Sequence, residues 1–235
     1  MKTTLDHLVV VAHTLDQGVQ WCEATLGITP APGGEHAQFG THNRLFKIAT
    51  PHYPMAYFEI IAIHPGAKGP ANPHAKRWFD MDSPTLRAAV AHEPRLAHFV
   101  VQTDDVLAAR LALKSLGIDR GPALPASRHS RKGVLRWQIT VREDGQRLFD
   151  GALPSLIQWG AAGDPEPLRL HPRNSLPRSG VSVQSVAITH PNVTKLQAAY
   201  AAIGLAGVTL DAGTANVTAT LKTPKGEVTL QSLGI

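Results

Sequence analysis

Cysteine is almost missing from this chain. Cys22 is the only one among 235 residues, so neither an internal disulfide nor a CxxC redox pair can form. It falls in line with Leu15, Val19 and Leu26 on one helical face, which predicts a small core residue rather than a reactive thiol. Long apolar runs are missing too: none approaches the ~20 residues that a membrane helix requires. MKTTLDHLVVV turns into a patterned strand without a signal-peptide cleavage site, so a cytoplasmic location with no membrane association is expected. There is no glycine-rich phosphate loop and no nucleophile elbow, which disfavours nucleotide-dependent and serine-hydrolase chemistry. The net charge of +5 and pI of 9.6 come from lysines and arginines that are dispersed and unaccompanied by any nucleic-acid motif. No nucleic-acid partner is expected.

What the chain has is 43% hydrophobic residues, enough for a continuous core, and an internal repeat. His7 in LDHLVVV and His98 in LAHFVVQ hold the same place in two copies of one pattern. In each, a histidine-bearing apolar strand leads to an acidic turn (TLD at 14–16, TDD at 103–105), an amphipathic helix, and LGI at 26–28 or 116–118. A weaker third copy begins at VQSVAIT, where Ser185 stands in the histidine's place and IGL at 203–205 closes the helix. Repeats of this kind are a fold signature. They predict a strand, a helix and further strands, used three times.

Asp16 is placed to cap the first helix, and Gly27 suits the left-handed conformation that ends helices. Ser83 and Pro84 make a natural start for a short helix after the Pro/Gly-rich connection HPGAKGPANPHAK. In YFEIIAI at 57–63, Glu59 alternates onto a face with apolar neighbours. A buried carboxylate there needs a partner or a metal. In the basic run SRHSRKGVLRW at 127–137, Arg128, Arg131, Lys132 and Arg136 either frame a mouth for carboxylate or phosphate or form a solvated hairpin tip.

LDHLVVVAHTLDQGVQWCEATLG, GGEHAQFGTHNRL, YFEIIAIHP and LPSLIQWG together resemble the vicinal oxygen chelate superfamily, which holds glyoxalases, bleomycin-resistance proteins and extradiol dioxygenases. The resemblance is closer to its glyoxalase-like domain proteins and spans residues 4–160. It implies an α+β fold of repeated βαβββ modules forming a cupped mixed sheet. Residues 1–163 would hold two paired modules, at about 4–64 and 95–160, with a third module at 180–235. By the same resemblance the metal positions fall on His7, Glu59, His98 and Gln158, a shell for Zn, Ni, Fe(II), Co or Mn. Gln158, neutral and a poorer donor, is alternatively a substrate contact. The third copy carries Ser185 and Gln231 where the ligands would stand, so no ion is expected there.

His42 in GTHN is expected to point into the cup as a substrate contact, an acid/base or an alternative ligand, with Thr41 and Asn43 settling the turn. Asn43, Trp137 and Arg136 complete the expected substrate contacts, and His36 is a weaker candidate. Two functions follow from the resemblance. In one, a metal-dependent lyase or isomerase, of which an extradiol dioxygenase is a variant, acts on a small oxygenated molecule, neutral or anionic, with Glu59 as ligand and base and His42 moving a proton. In the other, a metal-free module sequesters a small ligand. The open edge and apolar face of the third copy are expected to be covered by homodimerisation, since the proline-rich loop from Asp164 to Gly180 can hold that copy away from the rest.

Overall fold

A computed structural model describes residues 1–70, 72–130, 133–160 and 170–235. Arg131, Lys132 and the first part of the proline-rich loop, from Asp164, lie outside the described residues. The first copy is β1 (Thr4–Val11), α1 (Leu15–Leu26), β2 (Ala31–His36), β3 (Thr41–Lys47) and β4 (Tyr57–Ile63). After α2 (Pro84–His92), the second is β5 (Arg95–Gln102), α3 (Val106–Ser115), β6 (Ala123–Ser130), β7 (Gly133–Thr140) and β8 (Ser155–Trp159). The third is β9 (Ser182–Thr189), α4 (Val193–Ile203), β10 (Thr209–Asp211), β11 (Asn216–Thr223) and β12 (Gly226–Gln231).

Local signals set the helix ends. Gly27 takes φ 75° and its N–H bonds to the Cys22 carbonyl, closing α1. The N-cap is Thr14, whose hydroxyl accepts the Gln17 N–H at 3.1 Å, and not Asp16. Asp16 instead lies in the first turn, where a negative charge complements the helix dipole. Cys22 is fully buried, and burial pushes its thiol up to about 12, in keeping with a core residue.

The first two copies share one eight-stranded mixed sheet, in the order β2-β3-β4-β1-β5-β8-β7-β6. In both, the first strand lies parallel to the last, and β1 joins β5 antiparallel at the centre. Twist and coiling bring the outer strands β2 and β6 towards each other, so the cup is nearly closed. Its concave side packs Val9, Leu45, Ile61, Val100, Trp137 and Trp159. The connection between the copies folds over this side and contributes Trp78, Phe79 and Met81.

The convex side carries α1, α3 and the third copy. Leu8, Phe58, Phe99 and Leu113 share a single apolar core with Val186, Leu196, Ile203 and Leu221. The third copy is therefore packed against the first two within the chain: the Thr3 N–H donates to the Gly204 carbonyl, and the Tyr200 hydroxyl donates to the Ala152 carbonyl at 2.5 Å. The apolar face of the third copy is thus covered within the chain. The third copy forms its own four-stranded sheet in the order β10-β9-β11-β12. Its first strand pairs antiparallel with its third rather than parallel with its fourth, so it repeats the order of elements but not the pairing. Among the described residues no helix is long and apolar enough to cross a membrane.

Candidate functional site

A bulge in β1 builds the centre of the site. The β1–β5 register shifts between Leu5 and His7, and a bulge breaks strict alternation. Leu5 goes to the convex core, while Asp6 and His7 are both buried and bonded to each other. Asp6 accepts from His7 Nδ1 at 2.6 Å through Oδ1, and from Trp159 Nε1 at 2.8 Å and His171 Nε2 at 2.9 Å through Oδ2. A carboxylate only accepts, so Nδ1 of His7 carries a proton. His171 Nδ1 accepts the Arg173 N–H, which leaves its Nε2–H for Asp6. Burial pushes the Asp6 carboxyl up, but His171 and His7 outweigh it and hold the group below the usual carboxylate range.

With Nδ1 fixed by Asp6 and its ring stacked on Tyr57 at 4.5 Å between centroids, His7 presents Nε2 to Glu59 Oε2 at 3.5 Å. Glu59 sits beside it because β4 pairs parallel with β1, and it faces the same way as Leu45 opposite on β3. Its other oxygen accepts from Asn43 Nδ2 at 2.5 Å, while Asn43 Oδ1 accepts the Gly34 N–H at 2.8 Å. A Cβ on Gly33 would meet Asn43 Oδ1 at 1.9 Å, so the Gly-Gly pair at the β2 bulge makes room for this amide. His36 donates from Nδ1 to the Thr41 hydroxyl at 3.1 Å and approaches Asn43 Nδ2 at 3.4 Å. Burial lowers its pKa to about 4 in spite of Glu59 nearby, so the ring is neutral near pH 7.

These groups line a small inner cavity with Tyr57, Trp78, Phe79, Arg128, Trp137 and Trp159. Its volume, about 20 Å³, admits a group of one or two heavy atoms. His36 and Trp137 also border an outer cleft of about 550 Å³ with Glu35, Phe39, Pro125 and Arg136. Small molecules therefore have space outside and a narrow polar end within. Asn43 and Trp137 both line the inner cavity, whereas Arg136 is exposed and borders only the outer cleft.

Two expected ligands are placed elsewhere. His98 is fully buried, and its Nε2 faces the Ser155 N–H at 3.1 Å and an Arg120 amino group at 3.3 Å, while Nδ1 donates to the Gly151 carbonyl at 3.2 Å. Burial, then the Arg120 and Arg147 charges, hold its pKa well below the ordinary histidine value. A lone pair already accepting from an amide and a guanidinium is closed to a cation. Gln158 is one residue out of phase: Ile157 and Trp159 face the cup, while Gln158 Oε1 accepts the Val106 N–H at the start of α3. His42 is likewise out of phase. Asn43 and Leu45 take the inner face, so alternation sends His42 outward, where its ring meets His64 at 4.7 Å. The expectation that it lines the cup is corrected by this parity.

A divalent metal, which the superfamily resemblance implies, does not fit these donors. His7 and Glu59 are brought together, but His98 and Gln158 are committed to other partners, and among the described residues no group of three or more His, Cys, Asp or Glu is placed to hold an ion. The residues that the sequence left unnoticed are Asp6, Tyr57 and His171. Only the GGEH run hinted at the bulge that frames Asn43.

Comparison with known proteins agrees with this architecture. The description "Glyoxalase-like domain" matches residues 5–204. No curated protein matches the chain. A hypothetical protein from Staphylococcus aureus superposes with a TM-score of 0.61 at 16% identity, covering 92% of this chain and 88% of that one, a likeness of fold. Methylmalonyl-CoA epimerases are also similar. One from Streptomyces coelicolor, in complex with 2-nitronate-propionyl-CoA, has 17% identity and a TM-score of 0.41 over 68% of this chain and 100% of that one. One from Mycobacterium tuberculosis has 15% identity and a TM-score of 0.34 over 66% and 85%.

Proposed function

The chain belongs to the glyoxalase-like domain family, and from that premise we propose that it is an enzyme of the lyase or isomerase kind that moves a proton on a small oxygenated molecule. The observation that carries this reading is the buried row Asp6, His7 and Glu59, spaced at 2.6 and 3.5 Å and ending at the inner cavity. The body of the substrate occupies the outer cleft, and its reacting end enters past His36 and Trp137. Glu59 takes a proton from a carbon next to an oxygen-bearing carbon. The C–H electron pair delocalises onto that oxygen, and the proton returns from Glu59 in the reverse step. His7, oriented by Asp6, turns its Nε2 lone pair towards Glu59, where it accepts a hydrogen bond from the carboxyl once Glu59 has taken the proton. Asn43 holds the carboxylate in line.

No step is assigned to a divalent ion, because half of the expected ligand set is committed elsewhere. Dialysis against EDTA is expected to leave activity and melting temperature unchanged. The test of the function is proton NMR in D2O with a panel of 2-oxo acids, 2-hydroxy acids and 1,2-dicarbonyls. The protein should catalyse exchange at the activated carbon of one class, and Glu59→Gln should lower that rate by about 10²–10⁴-fold. Binding without exchange across the panel would overturn this reading in favour of metal-free sequestration, which the size of the cleft, about 550 Å³, also accommodates. A cytoplasmic setting completes the proposal and rests on the sequence pattern.

A further inference from the structure

We infer that Arg128 is the anchor for a carboxylate on the substrate, so that the molecule bound in the cup is a short organic acid. The inference rests on the reading of the cup as the substrate site and adds the substrate's chemical class. On β6, Leu124 and Ala126 pack into the concave core, and alternation turns Arg128 to the same side. Its β7 partner Leu135 also belongs to that core. The guanidinium crosses the seam between the two edge strands: a Cβ on Gly34 would stand 2.8 Å from its Nη1. The second glycine of the Gly-Gly pair therefore makes way for Arg128 as the first does for Asn43.

The charge reaches the inner cavity, which Arg128 lines together with Glu59 and His7. Among the described residues no carboxylate forms an ion pair with it. Arg120 and Arg147, which are buried, are satisfied within the fold: Arg120 donates to the Pro154 carbonyl and the Ser155 hydroxyl, and Arg147 pairs with Asp80 at 3.0 Å. Arg128 is a cation at the rim of the inner cavity, whose volume of about 20 Å³ takes the terminal oxygens of a flat group. A carboxylate meets both conditions, since its two oxygens match the guanidinium fork. A bulky tetrahedral phosphate fits less readily. With the carboxylate on Arg128, the adjoining carbon lies towards the Glu59 wall, and the same cation offsets negative charge that forms when its proton leaves.

The experiment is a titration of the full chain, read by tryptophan fluorescence because Trp137 and Trp159 line the cavity. The probes are pyruvate, lactate and malonate, the amides of each, and inorganic phosphate. The acids should bind and their amides should not. Arg128→Gln should weaken binding of the acids by about 10- to 100-fold, the loss expected for a charge-assisted hydrogen bond. Arg128→Lys should restore part of it, and Lys114→Gln, which removes an equal charge from the exposed side of α3, should change nothing. Glu59→Gln should retain acid binding, so a failure of the proton-transfer reading leaves this one standing. Wild-type affinity in Arg128→Gln, equal binding of the amides, no binding of any acid, or phosphate binding more tightly than the acids would each overturn the assignment.

Discussion

Asp6 is the residue on which the site's geometry depends most, and its removal gives the sharpest test. The carboxylate is fully buried and accepts from His7 at 2.6 Å, Trp159 at 2.8 Å and His171 at 2.9 Å. Asp6→Ala leaves three buried donors without an acceptor. At about 1–3 kcal/mol for each unsatisfied group, the loss is about 3–9 kcal/mol, comparable with the ~5–15 kcal/mol that holds a domain together. Asp6→Asn keeps the volume but offers one acceptor and one donor. Its oxygen is drawn to Trp159 and His171, which share one side of the carboxylate, so its NH2 faces His7 Nδ1. That imidazole must then move its proton to Nε2, opposite Glu59. Weaker neutral hydrogen bonds replace charge-assisted ones, at about 1–3 kcal/mol in all. Urea unfolding followed by tryptophan fluorescence gives both losses, and nitrogen-15 NMR of the histidines gives the tautomer of His7. An Asn variant as stable as wild type, or one whose His7 keeps its proton on Nδ1, would refute the hub role of this carboxylate.

Two further outcomes follow from the buried histidines and from the third copy. His36 has its pKa lowered by burial from 6.5 to about 4, so the unfolded chain takes up a proton first. Its contribution is intact above pH 6.5 and declines towards pH 4, by about 3 kcal/mol. His98 shifts in the same direction. Urea midpoints should fall across that window, and His36→Gln should flatten the fall; equal slopes for both proteins would contradict it. Deleting residues 180–235 should abolish folding rather than release a stable remainder, because Leu8, Phe58 and Phe99 share their core with Val186, Leu196 and Leu221. A truncated chain with sharp, cooperative thermal unfolding would show that the shared core is dispensable.

Much of this protein was legible in one dimension. The strand–helix–strand order of all three copies follows from local patterning, the end of α1 from Gly27, and the inward aim of Glu59 from alternation along YFEIIAI. Each needs only residues within a few positions of one another, and there the sequence holds all the information. Whether a side chain faces the cup also depends on parity, which a single bulge or a one-residue offset reverses. Hence His42 and Gln158 were assigned to the wrong face, while Asp6 was passed over because the β1 bulge that turns it inward arises in pairing with β5.

Long-range pairing decided the rest. The third copy reads like the others along the chain, yet its first strand pairs with its third, since nothing local records which strands will meet. His171 travels from beyond the second copy to a carboxylate 165 positions away, and Arg120 reaches His98 to close it against cations. The sequence by itself determined the elements and the chemistry available to them. The tertiary structure alone decided which buried polar groups satisfy one another, because that matching is made through space, and it left His7, Glu59 and Arg128 facing the cavity.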